Sequence, residues 1–532
     1  MRSSTITLST TLWCLLPLSL AADTYQPCPL LRAYYDAPNL SKSSDAVNSL
    51  SKDFNAVFDN LTRTGKSDDY GAITPNTTSF SVHYTAPAAG ADVNVTSDTV
   101  FALGGLTQLF TIYAWLANMG VETWSDPITK YLPELTSAAC GGGTFTVDWN
   151  SVTIEALAGH MAGIARDSNV CELGAECDRQ AFLSSLAKSP PIFLTNTTPL
   201  FSNAAYQLLA LAMTAAQPNT TTTFPSLLNT TLLTPLNLSH TVLLTPSTSP
   251  LLFPGTDLSP STLGEPASLS LLSTTADLAQ TGRAILSSTL LPPPATRRWL
   301  SPLSADTSNV RNGVGGPWEV YRAPFVTSQL ILDVLLKSGE VGAYSSYLGL
   351  VPDLGMGFAV LAHDESGQAA DLNVYVDVVA DGLGGIVEAA AGQGAGRYAG
   401  RYDGGKAADG GEVTAAVFGV DAWPGLVVQN MTVGGRDVRQ EVAEGAGIEL
   451  GGLDWRVYPT NVWDGDGRRH QFVGVVQDRG ALVDAGTPTC TTWLDGVLQG
   501  VGGRVVFELD GQGKAVAVEV PGLGVSLKRE GE

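Results

Sequence analysis

The sequence of 532 residues predicts an α+β domain, with an antiparallel sheet flanked by helices, followed by a smaller all-β domain. Three observations predict this fold. Apolar residues recur at helical intervals between Leu106 and Leu186, strand-like segments follow from Trp318 to His363, and the composition becomes rich in glycine near Gly394. The chain is longer than one small hydrophobic core can cover, so two domains are expected.

The first 22 residues, MRSSTITLSTTLWCLLPLSLAA, have the features of a secretory signal peptide. Arg2 precedes an apolar stretch from Leu12 to Leu20, and the small residues at its end favour cleavage after Ala21 or Ala22. This stretch is shorter than the roughly 18 residues that a membrane-spanning helix needs, and no later segment reaches that length. We therefore expect residues 1–22 to be removed and the mature protein to be soluble and secreted.

Residues 23–393 form the predicted first domain. Turn signals at WSDP and ACGGG interrupt the helical pattern, and further helices are predicted at Asn203–Ala216 and Thr275–Leu291. Residues 218–266 are rich in Ser, Thr, Pro and Asn, which predicts an irregular, glycan-bearing surface excursion. The segments WEVYRAP, QLILDVLLKSG, YSSYLGLVP and GFAVLAH predict antiparallel strands, and a helix is predicted at Asp371–Gly392.

Residues 394–532 form the predicted second domain. Short alternating runs such as LVVQNMTV, VVFEL and VAVEVPG lie between glycine-rich turns. This pattern is typical of an all-β domain. No internal repeat is evident, which argues against a solenoid.

Asparagine and cysteine usage fits an extracellular protein. Nine N-x-[ST] sequons predict glycosylation at Asn39, Asn60, Asn76, Asn94, Asn196, Asn219, Asn229, Asn237 and Asn430. The disulfide candidates after loss of the signal peptide are Cys28, Cys140, Cys171, Cys177 and Cys490. Cys171 and Cys177 are close enough for a local bridge, Cys28 and Cys490 are placed to join the two ends, and the odd count leaves one cysteine over.

The charge and the histidine spacing exclude several functions. A net charge of −22 argues against nucleic acid and anionic membrane surfaces as partners. The cysteines and five histidines have no metal-ligand spacing, so neither a metal site nor a cofactor is predicted. The sequence leaves the oligomeric state open.

Three short motifs lie at the ends of predicted helices and strands. GLTQ (105–108) opens an apolar helix, FSN (201–203) opens a later helix, and KSG (337–339) ends a predicted strand. This order resembles S-x-x-K, Y-x-N and K-[ST]-G of the serine β-lactamase and penicillin-binding protein superfamily. Longer segments, including LAGHMAGIARD and GAYSSYLGLVPDLGMGF, resemble its secreted fungal, class C type branch, which joins a β-lactamase/transpeptidase-like domain to a C-terminal β domain.

The resemblance implies a serine nucleophile, a helix lysine and a tyrosine, and all three reacting groups are replaced here. Their positions are Gly105, Gln108 and Phe201. Glycine has no nucleophile, glutamine is not a base, and phenylalanine lacks the hydroxyl. Losing any member of such a catalytic unit lowers the rate by orders of magnitude. No catalytic residue is therefore assigned, and serine acyl transfer is not expected.

Hydrogen-bond donors of the family's cleft remain. The backbone N–H groups of Gly105 and Glu340 stand at the family's oxyanion-hole positions. Candidate contacts for a ligand that bears a carbonyl or carboxylate are Gly105, Asn203, Lys337, Ser338, Gly339 and Glu340. Two reservations apply: Glu340 is expected to pair with Lys337, and Asn203 is more readily explained as a helix cap.

Other polar residues offer weaker alternatives. Thr107 and Ser338 are the substitute nucleophiles, but Thr107 is predicted to point away and Ser338 has no base visible in the sequence. His160 is expected to make a structural hydrogen bond. The leading hypothesis is a secreted β-lactamase-like protein without serine hydrolase activity, kept as a binding or structural protein. The alternative is an enzyme of fungal secondary-metabolite biosynthesis, acting as a hydrolase, acyltransferase or cyclase through non-standard residues of the same cleft.

Overall fold

A computed structural model provides the three-dimensional structure. It describes residues 25–531, apart from residues 26, 33, 41–43, 64–67, 74–77, 84–93, 139–144, 169, 172–176, 220, 245–264, 303–304, 326–329, 365–369, 405–412 and 482–491. The chain divides into two compact units, one formed by Leu31–Ala399 and the other by the residues up to Leu30 together with Gly400–Glu532.

The larger unit is built on an eight-stranded sheet in which every neighbouring pair is antiparallel, in the order β2-β1-β11-β10-β9-β8-β7-β6. Its strands are β1 Asp68–Ile73, β2 Thr78–His83, β6 Ala305–Asp306, β7 Asn312–Gly315, β8 Trp318–Phe325, β9 Leu330–Val341, β10 Tyr344–Val351 and β11 Met356–His363. A small three-stranded sheet contains β3 Phe101–Ala102, β4 Val242–Leu243 and β5 Leu271–Ser273. Strands β8 to β11 lie where the four predicted strand segments lie.

Helices cover the sheet and fill the rest of the larger unit. They are α1 Asp45–Arg63, α2 Thr107–Met119, α3 Glu134–Ala138, α4 Ile154–Ala158, α5 Arg179–Lys188, α6 Asn203–Ala215, α7 Phe224–Leu228, α8 Pro266–Leu269, α9 Thr275–Leu286, α10 Pro293–Trp299 and α11 Asn373–Tyr398. The predicted helices at 203–216, 275–291 and 371–392 correspond to α6, α9 and α11. The α+β prediction for this domain is confirmed.

Strand β11 shows why both faces of the sheet are buried. Ala359 and Leu361 belong to one hydrophobic core, which also contains residues of α2, α6 and α9. Phe358 and Val360 belong to a second core, formed with α1 and α11. Alternate side chains of a strand point to opposite faces, so a strand covered on both sides is apolar throughout.

Part of the excursion predicted at 218–266 is ordered and partly buried, so the expectation of an irregular surface segment is wrong there. Helix α7 continues into a π-helical turn at Asn229–Leu233. Leu228, Leu232 and Leu236 are buried in the core that contains α2. These leucines recur at four-residue intervals, which places them on one face of a helix. Residues 245–264 lie outside the described part.

The smaller unit is an eight-stranded antiparallel barrel with one short extra strand. The barrel order is β13-β12-β20-β19-β18-β17-β16-β14, and pairing of β13 with β14 closes it. Its strands are β12 Gly400–Asp403, β13 Ala415–Gly419, β14 Leu426–Val433, β16 Leu453–Trp463, β17 Arg469–Asp478, β18 Arg504–Leu509, β19 Ala515–Val520 and β20 Val525–Arg529, with β15 Arg436–Asp437 added to β14. The predicted C-terminal β domain is confirmed, and helix α12, Val438–Ala446, is an addition to it.

The unit boundaries differ from the predicted domain ranges 23–393 and 394–532. The second unit begins at Gly400 and includes the N-terminal residues that the sequence assigned to the first domain. The Tyr25 hydroxyl donates to Asp454 Oδ2 at 2.6 Å, and the backbone N–H of Cys28 donates to Gln477 Oε1 at 2.7 Å. These bonds bring the N-terminal segment to the barrel, which sequence periodicity does not reveal.

The features expected of a secreted chain are described in part. The predicted Cys171–Cys177 disulfide is present, and Cys28 is also disulfide-bonded, whereas Cys140 and Cys490 lie outside the described residues. The sequon asparagines are exposed at 39, 94, 196, 219, 229, 237 and 430; the Asn60 side chain and residue 76 are not described. The predicted signal peptide also lies outside the described part, in which no helix is both long and apolar enough to span a membrane.

Candidate functional site

The site lies where the turn before helix α2 meets strand β9. A 3-10 turn at Gly104–Leu106 leads into α2. A Cβ atom on Gly339 would overlap the Leu103 carbonyl oxygen and would lie 2.8 Å from the backbone nitrogen of Gly105. Glycine at 339 therefore allows the strand backbone to approach the turn this closely.

Gly105 faces the other two motifs. A Cβ atom there would lie 3.3 Å from the Ser338 carbonyl oxygen and 3.7 Å from Cζ of Phe201. The structure thus brings together the three positions that the sequence singled out in GLTQ, FSN and KSG. The backbone at Gly105 does not have a positive φ angle, whereas Gly104 has φ +51°. A side chain at 105 is therefore compatible with the local backbone.

Gln108 takes part in a buried network of amides and hydroxyls. Its Nε2 donates to Ser268 Oγ at 2.8 Å and to Asn203 Oδ1 at 3.3 Å. Ser268 Oγ also donates to Asn203 Oδ1 at 2.8 Å, and Asn203 Nδ2 donates to Asp167 Oδ1 at 2.6 Å. Oε1 of Gln108 is buried without a hydrogen-bond partner among the described residues. Gln108 is therefore a neutral amide held in place by hydrogen bonds to two neighbouring side chains.

Asn203 is a member of this network and does not cap helix α6, so the capping expectation is wrong. The cap is Ser202, whose Oγ accepts from the backbone N–H of Ala205 at 3.1 Å. Both side chains are buried. The adjacent Ser and Asn are equally good caps by sequence, and only the tertiary contacts of Asn203 distinguish them.

The Phe201 ring stands at the centre of an aromatic and cationic cluster. The His160 imidazole stacks on it, with ring centroids 4.8 Å apart. Arg166 Cζ lies 4.9 Å from the ring centroid, and Lys337 Nζ lies 5.5 Å from it. Cations over an aromatic face are attracted by the ring quadrupole, so the ring contributes to holding both side chains in place.

His160 has the structural role expected from the sequence. Its Nδ1 accepts from the Ser202 backbone N–H at 3.2 Å, so the neutral tautomer carries its proton on Nε2. Burial, together with the nearby positive charge of Lys337, lowers the pKa of His160 to about 3. The imidazole is therefore neutral at physiological pH and supplies a flat packing surface for Phe201.

Lys337 pairs with Glu319 and not with Glu340, so that expectation is wrong. Lys337 Nζ lies 2.5 Å from Glu319 Oε1 and donates to the Ser338 carbonyl oxygen at 2.9 Å. The lysine side chain is fully buried, whereas that of Glu319 is 34% exposed. Glu340 is exposed. Glu319 lies on the neighbouring strand β8, opposite Leu336 of β9, which brings its carboxylate to the motif.

Neither substitute nucleophile has an arrangement that activates it. Thr107 Oγ1 is fully buried and accepts from the backbone N–H of Leu271 at 3.0 Å, as expected for a side chain that points away from the cleft. Ser338 Oγ donates to Glu319 Oε1 at 3.0 Å. That carboxylate also accepts from Lys337 and from the Ser338 backbone N–H, so its oxygens are engaged by several donors at once.

Sequence reasoning missed Glu319 and Arg166 as members of the site. Strand pairing of β8 with β9 was predictable, but the register that sets Glu319 beside Lys337 was not. Arg166 follows the LAGHMAGIA segment in a loop, and its place over Phe201 depends on the tertiary fold. Within the described residues there is no group of three or more His, Cys, Asp or Glu side chains that could hold a metal ion.

Comparison with known sequences identifies the family. The family profile described as "Beta-lactamase" matches residues 76–381, more than half of the chain. The chain belongs to the β-lactamase family. A second profile, described as "Beta-lactamase-like-like, C-terminal domain", matches residues 390–531. A protein of Arthroderma benhamiae described as "Beta-lactamase-like protein" is 23% identical over 455 residues, covering 72% of this chain and 73% of that protein.

Solved structures show the same fold for the β-lactamase-like unit. The β-lactamase/D-alanine carboxypeptidase of Yersinia pestis, crystallised with citrate, matches with a TM-score of 0.50 and 20% sequence identity. The match covers 64% of this chain and 98% of the Yersinia protein. At this identity the likeness extends to the fold alone, so the chemistry of this chain is argued from its own residues.

Proposed function

We propose that this chain is a secreted β-lactamase-like protein that does not carry out serine acyl transfer and uses its cleft to bind a small molecule through a carbonyl or carboxylate group. The observation that carries the proposal is the convergence of Gly105, Phe201 and the Ser338 backbone. The nucleophile position is occupied by a residue without a side chain, at the point where the family's motifs meet.

The surrounding bonds support the loss of catalysis. An acyl-transfer serine needs a base within hydrogen-bond reach. Gln108 offers only an amide, and its Nε2 is bonded to Asn203 and Ser268. Lys337 is engaged by Glu319. Gln108 Nε2 and Lys337 Nζ therefore donate to neighbouring structural groups and not to a reacting hydroxyl.

Backbone donors support the binding role. The backbone nitrogen of Glu340 lies 2.7 Å from the position that a Cβ on Gly104 would occupy, and that of Gly105 lies 2.8 Å from the Cβ position of Gly339. Both N–H groups thus belong to the same contact between turn and strand. A carbonyl or carboxylate oxygen is the ligand group that two backbone N–H donors accommodate where they face the same space, so these two groups are the donors that the proposal assigns to the ligand. The alternative of a biosynthetic enzyme stays a prediction, because none of the contacts described above favours it.

Labelling with a fluorophosphonate probe tests the proposal, since such probes react with activated serine nucleophiles. We expect no labelling of the unmodified protein. The variant Gly105→Ser, Gln108→Lys, Phe201→Tyr should react, and the matched control Gln108→Lys, Phe201→Tyr should not, because it lacks a hydroxyl at 105. Labelling of the unmodified chain that disappears when the protein is heat-denatured beforehand would refute the proposal.

A further inference from the structure

Three hydrogen-bond donors of the KSG strand converge on one carboxylate that belongs to the chain itself. Lys337 Nζ and Ser338 Oγ both donate to Glu319 Oε1, at 2.5 and 3.0 Å. The Ser338 backbone N–H donates to Glu319 Oε2 at 3.1 Å. A cation, a hydroxyl and a backbone N–H around two carboxylate oxygens make up the donor set of a carboxylate-binding site.

We infer that Glu319 is a built-in carboxylate that occupies this anion site and thereby excludes ligands that would bind it through a carboxylate. The inference rests on the proposed function and narrows its ligand class from carbonyl or carboxylate compounds to uncharged carbonyl compounds. Glu319 acts here as a specificity-determining residue.

Burial and charge make the occupation effective. Lys337 is fully buried and the Glu319 side chain is 34% exposed, so solvent screens their attraction less than it screens an ion pair with both partners on the surface. The cation and the carboxylate neutralise each other, and a second carboxylate would meet Glu319 at the same donors. The like charge and the loss of two or more charge-assisted bonds both oppose such a ligand.

Acidic and polar side chains line the cavity beside Glu319. Glu319 lines a cavity of about 430 Å³, and its other polar lining side chains are Thr307, Asn312, Tyr321, Tyr347, Asn373 and Asp377. The only charged residues in this lining are the acids Glu319 and Asp377. This lining adds a second negative charge beside Glu319, which further opposes the approach of an anion through the cavity.

Chemical rescue tests the inference. Propionate has the carboxyl group and carbon chain of the whole Glu319 side chain, of which Glu319→Ala removes the carboxyl group and Cγ and leaves Cβ. We expect the melting temperature of the Glu319→Ala protein to rise with propionate concentration in a saturable way, and the Ser338 amide resonance to shift with the same concentration dependence. Neither effect is expected for the unmodified protein, or for Glu319→Ala treated with uncharged propionamide at equal concentration.

The matched control is Glu340→Ala, which removes an exposed acid from the same strand without touching Lys337 or Ser338. It should behave like the unmodified protein. Equal propionate response in the unmodified protein, or no response in Glu319→Ala, would overturn the inference. If Glu319→Ala does not fold alone, recovery on refolding is compared between propionate and propionamide. Recovery with propionate but not with propionamide supports the anion site. Recovery with both compounds, or with neither, overturns it.

The rescue result is separable from the proposed loss of catalysis. Fluorophosphonate labelling reports on a reactive hydroxyl and is independent of what occupies the donors of Lys337 and Ser338. Labelling of the unmodified chain would refute the proposed function and leave the propionate result standing. If propionate has no effect on Glu319→Ala and the unmodified chain is not labelled by the fluorophosphonate, only the role of Glu319 is refuted, and the proposed function stands.

Discussion

Two adjacent glycines allow a direct test of how the site is built. Gly104 has φ +51°, and a Cβ there would lie 2.5 Å from the carbonyl carbon and 2.7 Å from the nitrogen of Glu340. Those atoms are backbone of β9, where Glu340 pairs with Ser345 of β10, and they have little freedom to move. At Gly105 the nearest atom to such a Cβ is the Ser338 carbonyl oxygen, at 3.3 Å. That contact is relieved by a shift of a few tenths of an ångström.

The magnitude follows from these contacts. In Gly104→Ala the left-handed backbone costs about 1 kcal/mol, and overlap with packed backbone adds roughly 1–3 kcal/mol. We expect a total loss of about 2–4 kcal/mol in the free energy of unfolding. For Gly105→Ala the expected change is within about 1 kcal/mol, because lower chain entropy in the unfolded state offsets the mild crowding.

Differential scanning calorimetry of the full chain measures the difference. A unit as long as residues 31–399 gains roughly 2.1 cal/mol/K of entropy per residue on unfolding, so 1 kcal/mol lowers its melting temperature by about 1.3 °C. Gly104→Ala should melt about 3–5 °C below the unmodified protein and Gly105→Ala within about 1 °C of it. Equal losses in the two variants would refute the argument that the structure has room for a side chain at position 105 but not at position 104.

Two further predictions concern buried charge. Burial lowers the pKa of His160 from 6.5, its value in an unfolded chain, to about 3 in the folded chain. The unfolded chain therefore binds a proton first, and the free energy of unfolding is highest above pH 6.5 and falls as the pH drops toward 3. In urea unfolding, the free energy of unfolding should fall less between pH 7 and pH 5 for His160→Gln than for the unmodified protein, by up to about 1.4 kcal/mol per pH unit. An equal fall in the two proteins would contradict this. Asp454 accepts from Tyr25, Arg456 and Arg479, so Asp454→Ala should lower stability by about 3 kcal/mol in thermal unfolding. The exposed-pair control Asp306→Ala should change it by less than about 1 kcal/mol, and equal effects would count against the buried network.

Much of the fold was predictable because its elements have strong local patterns. Strands β8 to β11 read as apolar segments bounded by turns, and helix α6 follows from the apolar run after Asn203. The leucines of residues 227–236 also had a helical spacing, but the surrounding Ser, Thr and Asn favoured an irregular prediction. The prediction for this segment followed its composition and not its periodicity. In the structure the leucines are buried in the core that contains α2, which favours the helical conformation.

The site was predictable only as far as its motifs extend. GLTQ, FSN and KSG identified three positions that meet in space. The partner of Lys337 was not predictable, since it depends on which residue of β8 lies beside it and a shift of one residue would place Glu319 on the opposite face. The N-terminal segment was assigned to the wrong unit for a related reason. Its bonds to Asp454 and Gln477 span more than 400 residues of sequence.

The measurement that tests the central claim most directly is the intact mass of the protein after incubation with a penicillin. The unmodified chain should keep its mass, because Gly105 offers no oxygen for acylation. The variant Gly105→Ser, Gln108→Lys, Phe201→Tyr should gain one acyl adduct, mapped by peptide analysis to position 105. An acyl adduct on the unmodified chain, at Ser338 or at any other hydroxyl of the cleft, would contradict the account.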